Sequence, residues 1–306
     1  MSSPTIWQLA EKLYLISLTP PLQGFDRFIG IWLYTGPPAF LVDVGPAATS
    51  ASLLRALGDL AIRHLDYLLL THIHIDHAGG IGQVAAAFPR AHVVGHARGL
   101  PHLVQPDRLW QNSLKSLGRT AEAYGAITAV TPDRVMDAAA LDDPRIRVIP
   151  TPGHALHHIS YAVDDLLFAG EAGGVCLATR HPAPYMRPAT PPRFFLDVAL
   201  GSLDRLIAIE ACKIAYSHFG LFADAQDLLL SHRRQLLLWE EVIGRTLADA
   251  GTNDPTSDCL ERLLQEDPRL DAYLTMTYPK RTRERGFLRN SIQGFIEYIK
   301  ETPGSE

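Results

Sequence analysis

Four side chains able to bind a metal lie within six positions: His72, His74, Asp76 and His77, in the segment LLLTHIHIDHAGG over residues 68–80. Imidazole nitrogen and carboxylate oxygen are the ligands preferred by borderline cations such as zinc. His72 and His74 stand two apart, so an extended backbone turns both to one side, with Ile73 and Ile75 turned the other way into a core. Asp76 and His77 fall where the chain bends, and Gly79-Gly80 allow close backbone approach before the next helix. A divalent ion held there lowers the pKa of its water from about 15.7 to about 7, supplying hydroxide at neutral pH.

Further candidates recur just past apolar strands. Thr151-Pro152-Gly153-His154 follows residues 148–150, Gly170-Glu171 follows 166–169, and Ser217-His218 follows 214–216. Polar residues at successive strand ends converge on one rim of a sheet system, where loops on a rigid scaffold carry chemistry.

The elements that must position these residues are short. Runs Leu13–Leu18, 28–34 and 40–44, punctuated by Gly36-Pro37 and Gly45-Pro46, read as a strand meander. Helical spacing follows at 50–63, a buried strand at 67–70, a helix at 82–88 and a strand at 92–94. Residues 97–125 read as irregular helix. Strands return at 145–150, Ile159–Val163 and 166–169, the last two joined by an Asp164-Asp165 hairpin turn. Five prolines between 181 and 193 predict a stiff irregular loop. A helix at 203–210 and a strand at 213–217 come next, and helices are expected over 225–248, 257–265, 268–276 and 286–300. This is an α/β pattern, with many hairpin-like pairs rather than a purely parallel sheet.

Composition narrows the function classes. The chain has 306 residues, of which 47% are hydrophobic and 20% charged, an ordinary globular balance. A net charge of −5 argues against coating nucleic acid or anionic lipid by bulk charge. No apolar run reaches the roughly 18 residues of a membrane span, and no export signal is evident. Three scattered cysteines exclude a disulfide framework and fit a cytoplasmic location. Nucleotide-binding glycine motifs are missing.

The HxHxDH segment, the later TPGH, the acid closing FAGE and the final His after a strand resemble the metallo-β-lactamase superfamily over about residues 10–222. The resemblance implies a four-layer αββα sandwich (residues 1–223) with an α-helical C-terminal extension (224–306). It implies that His72, His74 and His154 hold one metal and that Asp76, His77 and His218 hold a second. Glu171 falls where many dinuclear relatives have a bridging Asp, and its extra methylene leaves open whether it bridges or binds one ion. Two divalent ions are expected, zinc first, with iron or manganese as alternatives. Asp43 matches an acid that ends an early strand in relatives and supports the ligands. His157 and His158 are candidates for orienting a ligand or contacting substrate.

The implied activity is hydrolysis of a small ester, thioester or lactone by metal-bound hydroxide, as in glyoxalase II and the lactonases. Asp76 would orient the nucleophile or carry its proton. In the proline-rich loop, which also carries Arg180 and Arg193, Tyr185 could donate to the oxyanion and Arg187 could pair with a substrate carboxylate. A mononuclear iron oxygenase of the persulfide dioxygenase type is the alternative, and a nuclease a weaker one. A small-molecule substrate is expected, without nucleic acid or membrane. The helical tail could cover the pocket mouth or pair subunits in a homodimer, and its basic run at 280–285 reads as a solvated loop.

Overall fold

The strand-like runs assemble into two sheets in the computed structural model, which describes residues 4–179, 181–249 and 254–302. The first sheet has seven strands in chain order: β1 (Thr5–Ala10), β2 (Leu13–Leu18), β3 (Ile29–Tyr34), β4 (Phe40–Val42), β5 (Tyr67–Leu69), β6 (His92–Gly95) and β7 (Val135–Asp137). Antiparallel pairing through β4 gives way to parallel pairing from β4 to β7. The second sheet uses β8 (Arg147–Pro150), β9 (Ile159–Val163), β10 (Leu166–Gly170), β13 (Lys213–Tyr216) and β14 (Gly220–Phe222), in the order β14-β13-β10-β9-β8. A ribbon of β11 (Val175–Leu177) and β12 (Tyr185–Arg187) stands apart from both.

Strand alternation sorts the apolar residues into layers. Trp32, Val42, Leu69 and Val94 of the first sheet meet Tyr161, Phe168 and Ala215 of the second in a core between the sheets. Their chain neighbours Ile31, Leu33, Leu41, Leu68, Val93, Leu167 and Ile214 belong to another core, shared with helices. On the first sheet's outer side these helices are α1 (Ser50–Asp59) and, beyond the single turn α2 (Ile75–Ala78), α3 (Ile81–Ala87). Three further helices follow: α4 (Pro101–Val104), α5 (Asp107–Leu117) and α6 (Arg119–Tyr124). Later helices α7 (Leu196–Ile207), α8 (Ala225–Ala248), α9 (Pro255–Glu266) and α10 (Tyr278–Glu301) cover the other side. The result is the expected αββα sandwich with a helical C-terminal stretch. Hydrogen bonds tie the sheets: Trp32 Nε1 donates to Tyr216 O at 3.1 Å, the Tyr161 hydroxyl to Leu70 O at 2.9 Å, and the Ile159 backbone N–H to Thr71 O at 2.8 Å.

Several elements differ from the sequence reading. Strand β1 escapes it because its side chains are mostly exposed, leaving no apolar alternation. The proline-rich loop contains β12, whose three residues are all buried against β11. Helix α7 starts at Leu196 rather than 203, and residues Pro268–Thr275 wind as a 3-10 helix. The basic run at 280–285 is no solvated loop: it is the first part of α10, with Arg283 and Glu284 buried. Within α10, a side chain at Gly294 would meet Thr190 O at 2.2 Å, so glycine allows the helix to lie directly on that loop.

Candidate metal centre

Strand β5 delivers the ligand loop as the spacing predicts. His72 and His74 lie on one side with ring centroids 4.5 Å apart, while Ile73 and Ile75 enter the core. Asp76 and His77 sit in the turn α2. The carbonyl of His77 accepts hydrogen bonds from the backbone N–H of Val44 and Gly45, at 2.8 and 2.9 Å. A Cβ at Gly79 would lie 2.9 Å from Ala47 N, so glycine is what permits this approach. His154 comes from the loop after β8, Glu171 directly follows β10, and His218 follows β13.

These seven side chains form two groups of donors. His72, His74, His154 and Glu171 are one, and Asp76, His77 and His218 the other, with donor atoms within 4.8 Å of one another in each. In the first, His72 Nε2 lies 3.0 Å from His74 Nδ1, which lies 2.9 Å from His154 Nε2. In the second, His77 Nε2 and His218 Nε2 are 3.1 Å apart, with Asp76 Oδ2 at 3.9 and 3.6 Å from them. Glu171 stands between the groups. Its Oε2 is 2.9 Å from His154 Nε2 and 3.4 Å from both His72 Nε2 and His77 Nε2, and its Oε1 is 3.8 Å from His218 Nε2.

The outward ring nitrogens decide which atoms carry lone pairs inward. His154 Nδ1–H donates to Ala189 O at 2.9 Å, His218 Nδ1–H to Phe28 O at 3.0 Å, and His77 Nδ1–H to Asp43 Oδ2 at 2.8 Å. His72 Nδ1–H donates to the Thr71 hydroxyl at 3.0 Å, because that hydroxyl gives its own proton to Asp43. In the neutral rings each Nε2 is thereby left to face its neighbours with a lone pair. Lone pairs converging at about 3 Å repel unless a cation lies among them, and oriented outer N–H groups are how proteins hold metal-binding histidines. The donor set fits divalent metal.

Charge within the site follows from burial and neighbours. Burial, then the nearby His77 and His74, push His72 well below the usual histidine range. Burial and His154 do the same to His74, and burial lowers His218. Burial also opposes charge on His77, but Asp43 and Asp76 outweigh it and raise that ring well above its usual value. Glu171 similarly raises His154 against burial, and His154 holds the Glu171 carboxyl well below its usual range. His72, His77 and His218 are sealed at 1–3% exposure, whereas the Asp76 side chain is 18% exposed. Solvent therefore reaches the site at its partly exposed members, Asp76, His74 and His154.

Supporting residues resolve the remaining candidates. Asp43 Oδ1 accepts the Thr71 N–H at 2.8 Å, and Oδ2 accepts the Ser217 hydroxyl at 3.0 Å as well as His77. His158 is wholly buried: its Nε2 accepts the Glu171 N–H at 3.0 Å, so its Nδ1–H donates to Thr151 Oγ1 at 2.8 Å. A Cβ at Gly170, where φ is +57°, would lie 2.4 Å from that Nε2. The His157 ring lies 6.3 Å from that of His72 and 6.1 Å from that of His74, and burial with the charges of His154, His96 and His102 pushes it down to about 4.

Two substrate candidates lie elsewhere than expected. Tyr185 has no exposed surface, and the charges acting on its phenol are chiefly Glu284 and Arg187. Arg187 is buried and its guanidinium is already paired with Glu284 of α10, at 2.6 Å. Arg180 lies outside the described residues. Sequence reasoning missed Thr71, Ser217 and Phe28. The two hydroxyls had a signal, since each directly precedes a candidate ligand histidine at the end of an apolar strand. Phe28 had none.

The family description matching this chain is that of the metallo-beta-lactamase superfamily, over residues 30–218, from strand β3 to the last candidate ligand. The chain belongs to the metallo-beta-lactamase superfamily. Within that superfamily it is a metal-dependent hydrolase. It is 31% identical over 187 residues to a metallo-beta-lactamase fold-containing protein of Sulfurisphaera tokodaii, covering 58% of this chain and 69% of that protein. It is 32% identical over 250 residues to the hydroxyacylglutathione hydrolase of Cupriavidus taiwanensis, covering 77% and 79%. A metallo-beta-lactamase family protein from Thermus thermophilus shares the fold, with TM-score 0.63, 23% identity and coverage of 96% and 95%. Among the described residues, no helix is long and apolar enough to cross a membrane.

Proposed function

We propose that this superfamily member hydrolyses a small ester, thioester or lactone at a centre of two divalent ions, zinc being the proposed metal. The position of Glu171 carries this reading, because one carboxylate oxygen faces imidazoles of both donor groups. His72, His74 and His154 would hold one ion, and Asp76, His77 and His218 the other, with Glu171 between them. Such ions, when bound, lower the pKa of water to about 7 and act as Lewis acids toward a carbonyl oxygen.

The chain's own residues orient and move protons. Asp76, a half-buried carboxylate, would orient the nucleophile or accept its proton. Asp43 keeps His77 in one tautomer, and His158 fixes the backbone that carries Glu171. Residues 1–223 are proposed as the catalytic unit and 224–306 as its helical extension. Thioesters lead the substrate classes, supported by relatives that are named hydroxyacylglutathione hydrolases.

Metal analysis of purified protein, with a panel of thioester, lactone and phosphodiester substrates, tests the reading. Two ions per chain and thioester or lactone turnover are expected, and His74→Ala should lose both metal and activity. One iron per chain with oxygen uptake and no hydrolysis would overturn it in favour of an oxygenase.

A further inference from the structure

The second donor group is supported from an unexpected direction. Phe28, at the entry to β3, is 1% exposed and touches His218 twice. Its carbonyl accepts the Nδ1–H, and its ring stacks on the imidazole with centroids 4.3 Å apart and planes 15° from parallel. Helix α10 reaches the same ring. Phe287 stacks on it at 5.4 Å and 21°, and the Arg283 guanidinium carbon lies 4.0 Å from its centroid. One ring face has no room for an imidazole at 4.3 Å and a guanidinium at 4.0 Å, so the two take opposite faces.

Arg283 is itself fixed on several sides. Its Nε donates to Glu284 Oε1 at 2.8 Å, and its Nη1 donates to Gly24 O. Glu284 Oε2 accepts from Arg187 Nε at 2.6 Å, and the Arg187 guanidinium lies 4.7 Å from the Phe287 ring. A buried ion triad of this kind contributes little net stability for its desolvation cost but holds its members in one geometry. A planar guanidinium on an aromatic face is held more strongly when desolvated.

We infer that α10 sets the orientation of His218 through Phe28, with Arg283 as the positioning residue. The helical extension then helps build the metal centre without supplying a ligand to it. This deepens the two-metal reading, since it takes His218 as a ligand of the second ion.

The test uses the full chain and two variants. In metal-free protein, nitrogen-15 spectra of the histidine rings report the His218 tautomer, and the Phe28 ring current shifts its protons. Stepwise zinc titration of the same samples then reads the two equivalents. Phe28→Leu keeps the backbone acceptor but removes the stacked ring, and Arg283→Met removes the cation while keeping length. Each should shift and broaden the His218 ring signals, as the imidazole loses its single orientation, and weaken the second zinc equivalent about tenfold or more, with the first within about twofold. Arg283→Lys, which restores a cation, should recover much of the loss.

Folded variants with unchanged His218 signals and an unchanged second equivalent would overturn the inference. Equal weakening of both equivalents would also overturn it, as a loss of general packing. Should Arg283→Met fail to fold, Phe28→Leu decides. A wild-type chain that takes a single ion would sink the two-metal reading alone, because the metal-free spectra still judge the clamp on His218.

Discussion

The two donor groups differ in what holds them. The first is steadied by nearby neutral partners: Thr71 for His72, the Ala189 carbonyl for His154, and the His158 ring for the backbone of Glu171. The second is steadied by charge and by distant chain: Asp43 grips His77, while Phe28, backed by α10, grips His218. A site can thus be half local and half borrowed. The local half depends on the loops that carry it, and the borrowed half on the integrity of the whole chain.

The largest effect expected is from Asp43→Ala, which erases the distinction. It unpairs His77, Thr71 and Ser217 together. Breaking a buried charged partner costs about 3–5 kcal/mol, so thermal melting should show a large loss of stability, and metal analysis should show loss from both groups. A variant retaining either group's metal would show that the carboxylate serves only one.

Acid should bear on the borrowed half. Burial alone would raise the Glu284 carboxyl, but Arg187 and Arg283 outweigh it and hold it below its usual range. A depressed folded value means stability that is full above the unfolded pKa and lost as pH falls through the folded one. Urea unfolding from neutral pH downward should show this loss beginning near the usual value of 4.5. Glu284→Gln should be less stable at neutral pH and should lose that part of the acid dependence; an unchanged slope would refute the assignment.

His158→Phe sharpens the comparison from the local side. It leaves the Glu171 N–H without an acceptor and should weaken the first zinc equivalent about 10–100-fold, more than the second. The smallest effect is expected at Lys213→Ala, which removes an exposed pair with Asp165 at the start of β13. Calorimetry should find no measurable change in melting temperature, and a clear drop would mean the strand end matters more than its exposure indicates.

Much of the histidine cluster at residues 72–77 is legible in the sequence because its information is local. His72, His74, Asp76 and His77 announce themselves by donor type and spacing, and β5 and Gly79 confirm the geometry that spacing demands. His154, Glu171 and His218 are legible as polar residues past apolar strands. That Glu171 faces both groups is not legible, since it depends on the turn at Gly170 and on His158. Tyr185 and Arg187 mislead because prolines around them imply an open loop, while burial of β12 and capture by Glu284 are tertiary events. Arg283 hides within a basic run whose composition points to solvent. Phe28 is one aromatic residue at the entry to a strand, and nothing in its neighbours reveals an imidazole beyond its ring.

The contacts of Asp43 and the histidines also fix when in the life of the chain the centre can exist. Asp43 reaches Ser217 across a separation of 174 residues, His77 reaches His218 across 141, and His74 reaches His154 across 80. Closures that long come late in folding, because their entropy is lost before their contacts repay it. A chain still emerging from the ribosome carries the whole histidine cluster of residues 72–77 yet has neither donor group complete. On the two-metal reading, neither ion would meet its full donor set until the two sheets have joined.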